Sequence, residues 1–153
     1  MDAVAISLPL LVGIVANAAT IVIHALAVRA TVAFVRHEDQ AGRVGVGFWT
    51  GVAVLAVGVF FALVAHLLEI GVWAVLFMLC GEFPAFATAY DHSAVNYTTL
   101  GYGNVIMTPS WRFLGPLEAA NGMLLFGVSA ALVFSVIQYL IRAGRSAGNV
   151  WRP

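Results

Sequence analysis

All seven basic residues of this 153-residue chain are arginine, and lysine is absent. That excludes a Walker-type phosphate loop and Schiff-base chemistry, both of which need a lysine amine. The single cysteine, Cys80, leaves no partner for an intrachain disulfide and no thiolate cluster for a metal. Charge is scarce as well: 9% of residues are acidic or basic, against roughly 25% in a soluble domain. What fills the chain instead is apolar, with 62% hydrophobic residues and a mean hydropathy of +0.98. This composition reads as an integral membrane protein. Too few residues lie outside apolar runs for a separate soluble domain, so lipid is an expected partner, whereas nucleic acid and a soluble ligand domain are not.

Three apolar segments, residues 4–35, 46–80 and 113–141, each exceed the roughly 20 residues needed to cross a bilayer and read as transmembrane helices. The first lacks a basic leader and carries Asp2 at its start, so it is expected to be retained rather than cleaved as a signal peptide. The second is roughly 50 Å long as one straight helix against a hydrocarbon core of about 30 Å, so it must tilt, kink or emerge. His66 and Glu69, three residues apart on one face and followed by Gly71, mark an outer-half kink or an interfacial location. The pair has two readings: a proton-sensitive gating element, because an ionisable residue inside a span is costly and needs a reason, or a structural hydrogen bond to another helix.

Arg36 and Arg43 flank the polar loop after the first segment, and Arg142, Arg145 and Arg152 follow the last. The positive-inside rule puts both regions in the cytoplasm, with the N-terminus outside. Arg29, Arg36 and Arg43 recur every seven residues, too sparsely for a voltage sensor. Between the second and third spans, residues 83–97 are apolar and helix-compatible but too short to cross, which suggests a re-entrant helix with Pro84 in its first turn and Glu82 beside its positive end. Its opposite end carries partial negative charge, which favours a cation in the membrane interior.

That helix runs into Thr98-Thr99-Leu100-Gly101-Tyr102-Gly103-Asn104. Together with Ser93 to Tyr97 ahead of it, and Trp111-Arg112, Gly122 and Gly127 behind, this motif resembles the pore domain of potassium channels in its small bacterial form, two helices and a pore loop. The resemblance covers residues 77–142. It implies an all-α membrane protein of three transmembrane helices plus a re-entrant pore helix and selectivity filter: an additional helix and loop at 1–45, then a pore domain at 46–153 (outer helix 46–80, pore helix 83–97, filter 98–104, inner helix 113–142, short cytoplasmic tail). In such a filter backbone carbonyls replace the hydration shell of K+; Thr99, Leu100, Gly101 and Tyr102 would supply the ligands. Gly101 and Gly103 suit the positive φ that such a backbone needs, and Tyr102 would pack behind the filter with its hydroxyl bonded to the pore helix. One filter segment per chain implies a homotetramer, in a bacterial inner membrane, with K+ as permeant ion and no cofactor.

Asn104 stands where Asp is commonest in the family, and Val95 where some members have Glu, so slow filter inactivation does not transfer; Leu100 for Val or Ile is a milder change. Gly122 and Gly127 read as a gating hinge or as close-packing positions. Glu118 and Asn121 read as braces for the filter or as interhelical hydrogen bonds, and His24, deep in the first helix, as a hydrogen bond to a neighbouring helix or a proton relay. Asp91 and His92 would tune a pH response or form a satisfied pair behind the filter, while the Asn96-Tyr97-Thr98 glycosylation sequon is discounted because it lies in the pore segment. No His, Cys, Asp and Glu cluster has metal-enzyme spacing, and no catalytic triad can be argued, so an enzyme is not expected. A weakly selective cation channel and a non-conducting accessory subunit of a heteromeric assembly are the alternatives.

Overall fold

The computed structural model describes residues 2–103 and 105–146, apart from the side chains of residues 2–6; Asn104, Arg152 and the tail past residue 146 lie outside the described residues. The chain is all-helical there: α1 (Asp2–Gln40), α2 (Phe48–Leu79), α3 (Phe86–Tyr97) and α4 (Leu114–Ser146). α1, α2 and α4 are long and apolar enough to span a membrane. This is an integral membrane protein. The three helices rise roughly 48–58 Å at 1.5 Å per residue, more than a bilayer core requires. α2 is one uninterrupted α-helix through His66, Glu69 and Gly71, so the excess length is not taken up by a break there. Pro9 lies inside α1, a position that membrane helices tolerate better than soluble ones.

Both α1 and α2 end in the same way. Arg43 N–H reaches back to Glu38 O and Glu82 N–H to Phe77 O, each at 3.0 Å, across a residue in left-handed conformation, Gly42 or Gly81. These six-to-one bonds satisfy carbonyls that a helix end leaves open. The Arg43 side chain adds two bonds to Glu38, Nε at 2.6 Å and Nη2 at 2.8 Å. α3 starts later than expected: Pro84 precedes the helix instead of occupying its first turn, and Ala85 is an extended N-cap with φ −120°. A proline disfavours helical backbone in the residue before it, which holds Phe83 out of the helix.

The chain divides into two compact units. The first comprises Met1–His24 and His66–Phe126, the second Ala25–Ala65 and Gly127–Pro153. In the first, Trp73, Ala74 and Phe77 of α2 and Ala89 and Tyr97 of α3 pack with Leu114 of α4, all fully buried. α3 and the filter are thereby fixed against α2 and α4. In the second, Val35, Val54, Val136 and Leu140 form a smaller core.

Candidate functional site

The last turn of α3 organises the segment that follows it. Thr98 N–H donates to Ala94 O and Thr99 N–H to Asn96 O, while Leu100 and Gly101 N–H both donate to Val95 O. The N–H groups of residues 98–101 are thus turned toward the carbonyl end of the helix. Among the described residues, none donates a backbone hydrogen bond to the carbonyls of residues 99–103. These residues are exposed in the single chain, and once enclosed, such oxygens would need a partner. The backbone conformation explains the arrangement: Thr98 has φ −81°, Thr99 +59° and Gly101 +76°, so left-handed residues alternate with ordinary ones, which turns successive carbonyls the same way instead of to opposite sides as in a strand. The expected positive φ is found at Gly101 but not at Gly103; Thr99 takes it instead. For a residue with a Cβ this costs roughly 1–2 kcal/mol, which the Thr99 and Leu100 hydrogen bonds to α3 help to offset.

Tyr102 departs from expectation. Within one chain this residue is 75% exposed and does not pack behind the filter. A cavity of about 450 Å³ lies beside it, lined by His92, Asn96, Thr99, Gly103, Arg112 and Ala119. Leu100 is exposed too, as suits a residue of which only the backbone is used. On the far side of the filter, Thr108 N–H donates to Glu82 Oε2 at 2.7 Å and its hydroxyl to Glu82 Oε1. Glu82 therefore ties the end of α2 to the segment leaving the filter, a role that its place ahead of α3 did not suggest.

Behind α3 a polar network crosses the apolar packing. Glu69, fully buried on α2, receives hydrogen bonds from three directions: His24 Nδ1 on α1 lies 2.9 Å from Oε1, His66 Nδ1 lies 3.0 Å from Oε2, and the Tyr97 hydroxyl donates to Oε2. His66 Nδ1 is also 3.0 Å from Tyr97 Oη, and the His66 ring stacks on Phe126 at 4.2 Å. The expected hydrogen bond from the His66 and Glu69 pair to another helix is present, and it reaches two helices. His24, His66 and Glu69 bring their ligand atoms within 4.8 Å of one another. Spacing along the chain, which shows no metal-enzyme pattern, cannot reveal this group, since His24 and Glu69 are 45 residues apart. Tyr97 carried no functional reading in the sequence; its place directly before the filter was the available signal.

A second network joins α3 to α4. The Ser93 hydroxyl lies 2.8 Å from Ile70 O and is bonded to Glu118, which is fully buried, while Asn121 Nδ2 donates to Thr20 Oγ1 at 2.8 Å. Glu118 thus braces α3, and Asn121 makes an interhelical bond. Gly122 is a close-packing position: a Cβ there would lie 2.1 Å from Tyr97 O. Gly127 has nothing within 4 Å of the same point. Asp91 and His92 do not form a buried pair. Asp91 is exposed, whereas His92 is buried with Nε2 at 2.9 Å from Asn96 Nδ2, and that burial holds its imidazole below the usual range.

A protein-family description, ion channel, matches residues 65–139, the stretch that holds His66, Glu69, α3, the filter and most of α4. No curated protein and no solved structure matches the chain.

Proposed function

We propose, from the match of residues 65–139 to an ion-channel family, that this integral membrane protein is a passive potassium channel with residues 98–104 as its selectivity filter. Thr99, Leu100, Gly101 and Tyr102 offer K+ their carbonyl oxygens in place of water, with Thr98, Gly103 and Asn104 completing the segment. The observation that carries this reading is the row of filter carbonyls left without a backbone donor among the described residues, opposite N–H groups already spent on α3. The ion is the missing partner. K+ is the cargo, and no cofactor takes part.

One chain cannot enclose a pore, so four copies surround the axis. Tyr102 at 75% exposure and Ile106 at 88%, beside the cavity at His92 and Asn96, are faces that neighbouring copies would cover. The arginines Arg29, Arg36, Arg43, Arg142 and Arg145 all belong to the second unit, whereas the filter belongs to the first. By the positive-inside rule the arginine-bearing ends face the cytoplasm of a bacterial cell, the N-terminus lies outside and the filter opens outward. Gating then falls to α4, where Gly127, with open space around it, is a better place to bend than Gly122, and to the hydrogen bonds by which His66 and Glu69 support Tyr97.

The test is K+ against Na+ flux into liposomes holding only this protein, beside Gly101→Ala. A Cβ at φ +76° is strained by roughly 1–2 kcal/mol and turns the carbonyls out of line. Selective K+ flux that is lost in the variant is the expected result. Equal Na+ flux would replace the reading with a weakly selective cation channel, and no flux at any pH or membrane tension would replace it with an accessory subunit.

A further inference from the structure

The Glu69 network has more donors than a structural hydrogen bond requires, and they converge from three helices. We infer that His24, His66 and Glu69, with the Tyr97 hydroxyl as fourth group, form a binding site for one divalent transition-metal ion, with zinc the best match. The groups are close enough to share one ion: His24 Nδ1 is 2.9 Å from Glu69 Oε1, and His66 Nδ1 is 3.0 Å from both Glu69 Oε2 and Tyr97 Oη, against roughly 3.3 Å between ligands of a tetrahedral zinc ion. An ion would replace these hydrogen bonds, with the side chains rearranging around it. All three ligand atoms of the His-His-Glu set already lie within 4.8 Å of one another.

The donor set selects the metal. Two imidazoles, a carboxylate and a phenol oxygen suit zinc or copper(II), whereas potassium, magnesium and calcium prefer oxygen ligands alone. Charge points the same way. The Glu69 carboxylate is enclosed in apolar surroundings, where an uncompensated charge is expensive, and a divalent ion supplies the opposite charge. The four groups are all buried, so the ion enters while the helices assemble rather than by diffusion into the finished fold. Once there it would bind α1 and α2 to the last residue of α3, directly ahead of the filter.

The test loads the metal during synthesis. The full chain is expressed in medium supplemented with zinc chloride, purified in detergent and analysed for bound metal, beside His24→Asn, Glu69→Gln and a His37→Asn control outside the cluster. The expected result is one zinc per chain in the wild type and in His37→Asn, falling to none in the two cluster variants. Metal-free wild-type protein overturns the proposal in favour of a cluster held by hydrogen bonds alone, and equal zinc in all four proteins overturns it in favour of binding elsewhere. If the cluster variants do not fold, wild-type protein loaded with cobalt(II) decides: intense visible bands of a four-coordinate nitrogen and oxygen site uphold the proposal, and the weak bands of six-coordinate cobalt defeat it. Neither readout depends on ion conduction.

Discussion

Replacing Gly122 by alanine tests whether α4 is placed by contact with the pore helix. The new Cβ would stand 2.1 Å from Tyr97 O, 3.0 Å from Tyr97 C and 3.2 Å from Tyr97 Cγ. Ordinary contacts between non-bonded heavy atoms lie well above 3 Å, so the two segments must separate by roughly 1 Å. The obstacle is backbone at the end of α3 and cannot rotate away as a flexible side chain would. Overpacking of this kind costs about 1–3 kcal/mol, and the better helix propensity of alanine returns about 1 kcal/mol of it. The expected outcome is a net loss of up to about 2 kcal/mol, read as a melting temperature lower by up to several degrees in detergent by size-exclusion thermal melts. The displacement passes to Thr98 and on to Gly101, so K+ flux falls as well. Gly127→Ala, with nothing within 4 Å of its Cβ, is the matched control and melts at or slightly above the wild type. A Gly122→Ala protein as stable as its Gly127→Ala counterpart would refute the packing argument. A pure hinge at Gly122 predicts a different pattern, with unchanged melting and altered channel opening.

Ser93→Ala removes the hydroxyl bonded to buried Glu118 and should cost about 1–3 kcal/mol; a loss in thermal melts below about 0.5 kcal/mol would show that Glu118 has another adequate donor. Thr108→Val takes one of the two donors from Glu82 and should lower stability by about 1 kcal/mol while leaving the backbone bond in place; unchanged melting would mean that the backbone bond alone holds the segment. His92 gives a pH dependence of known sign. Burial lowers its imidazole below the usual range, against smaller opposing effects of the Val105 carbonyl, Glu82 and Asp91, so the unfolded chain binds a proton that the folded chain resists, and stability falls as pH drops below about 6.5. His92→Asn should flatten the melting-temperature slope on the acid side, and an unaltered slope would assign it to the other histidines.

The spanning helices were legible because length and hydropathy suffice to find them, and each was placed within a few residues of its end. The ends themselves depend on local chemistry: α1 extends to Gln40 because the Arg43 to Glu38 clamp lets polar residues stay helical, and α3 starts at Phe86 after an extended Ala85. Within the filter the residue types pointed to the backbone, yet the left-handed conformation went to Thr99 rather than Gly103, since hydrogen bonds from α3 fix the first half of the segment. Tyr102 was expected to pack behind the filter, yet in the single chain it is exposed. The His24 contact was illegible for a different reason. A histidine inside an apolar helix announces that it needs a partner, but not which of several distant residues the fold will bring to it.

The Glu69 carboxylate bears on where this protein may be cut. The ion-channel match begins at residue 65, which invites a shortened version lacking α1. Such a truncation would delete the His24 donor and leave a fully buried acid short of one of its bonds, along with Asn121, whose partner Thr20 is also on α1. The limits of the recognisable module and of the self-sufficient one therefore differ: the first is set by likeness to other sequences, the second by whether every enclosed polar atom keeps its counterpart.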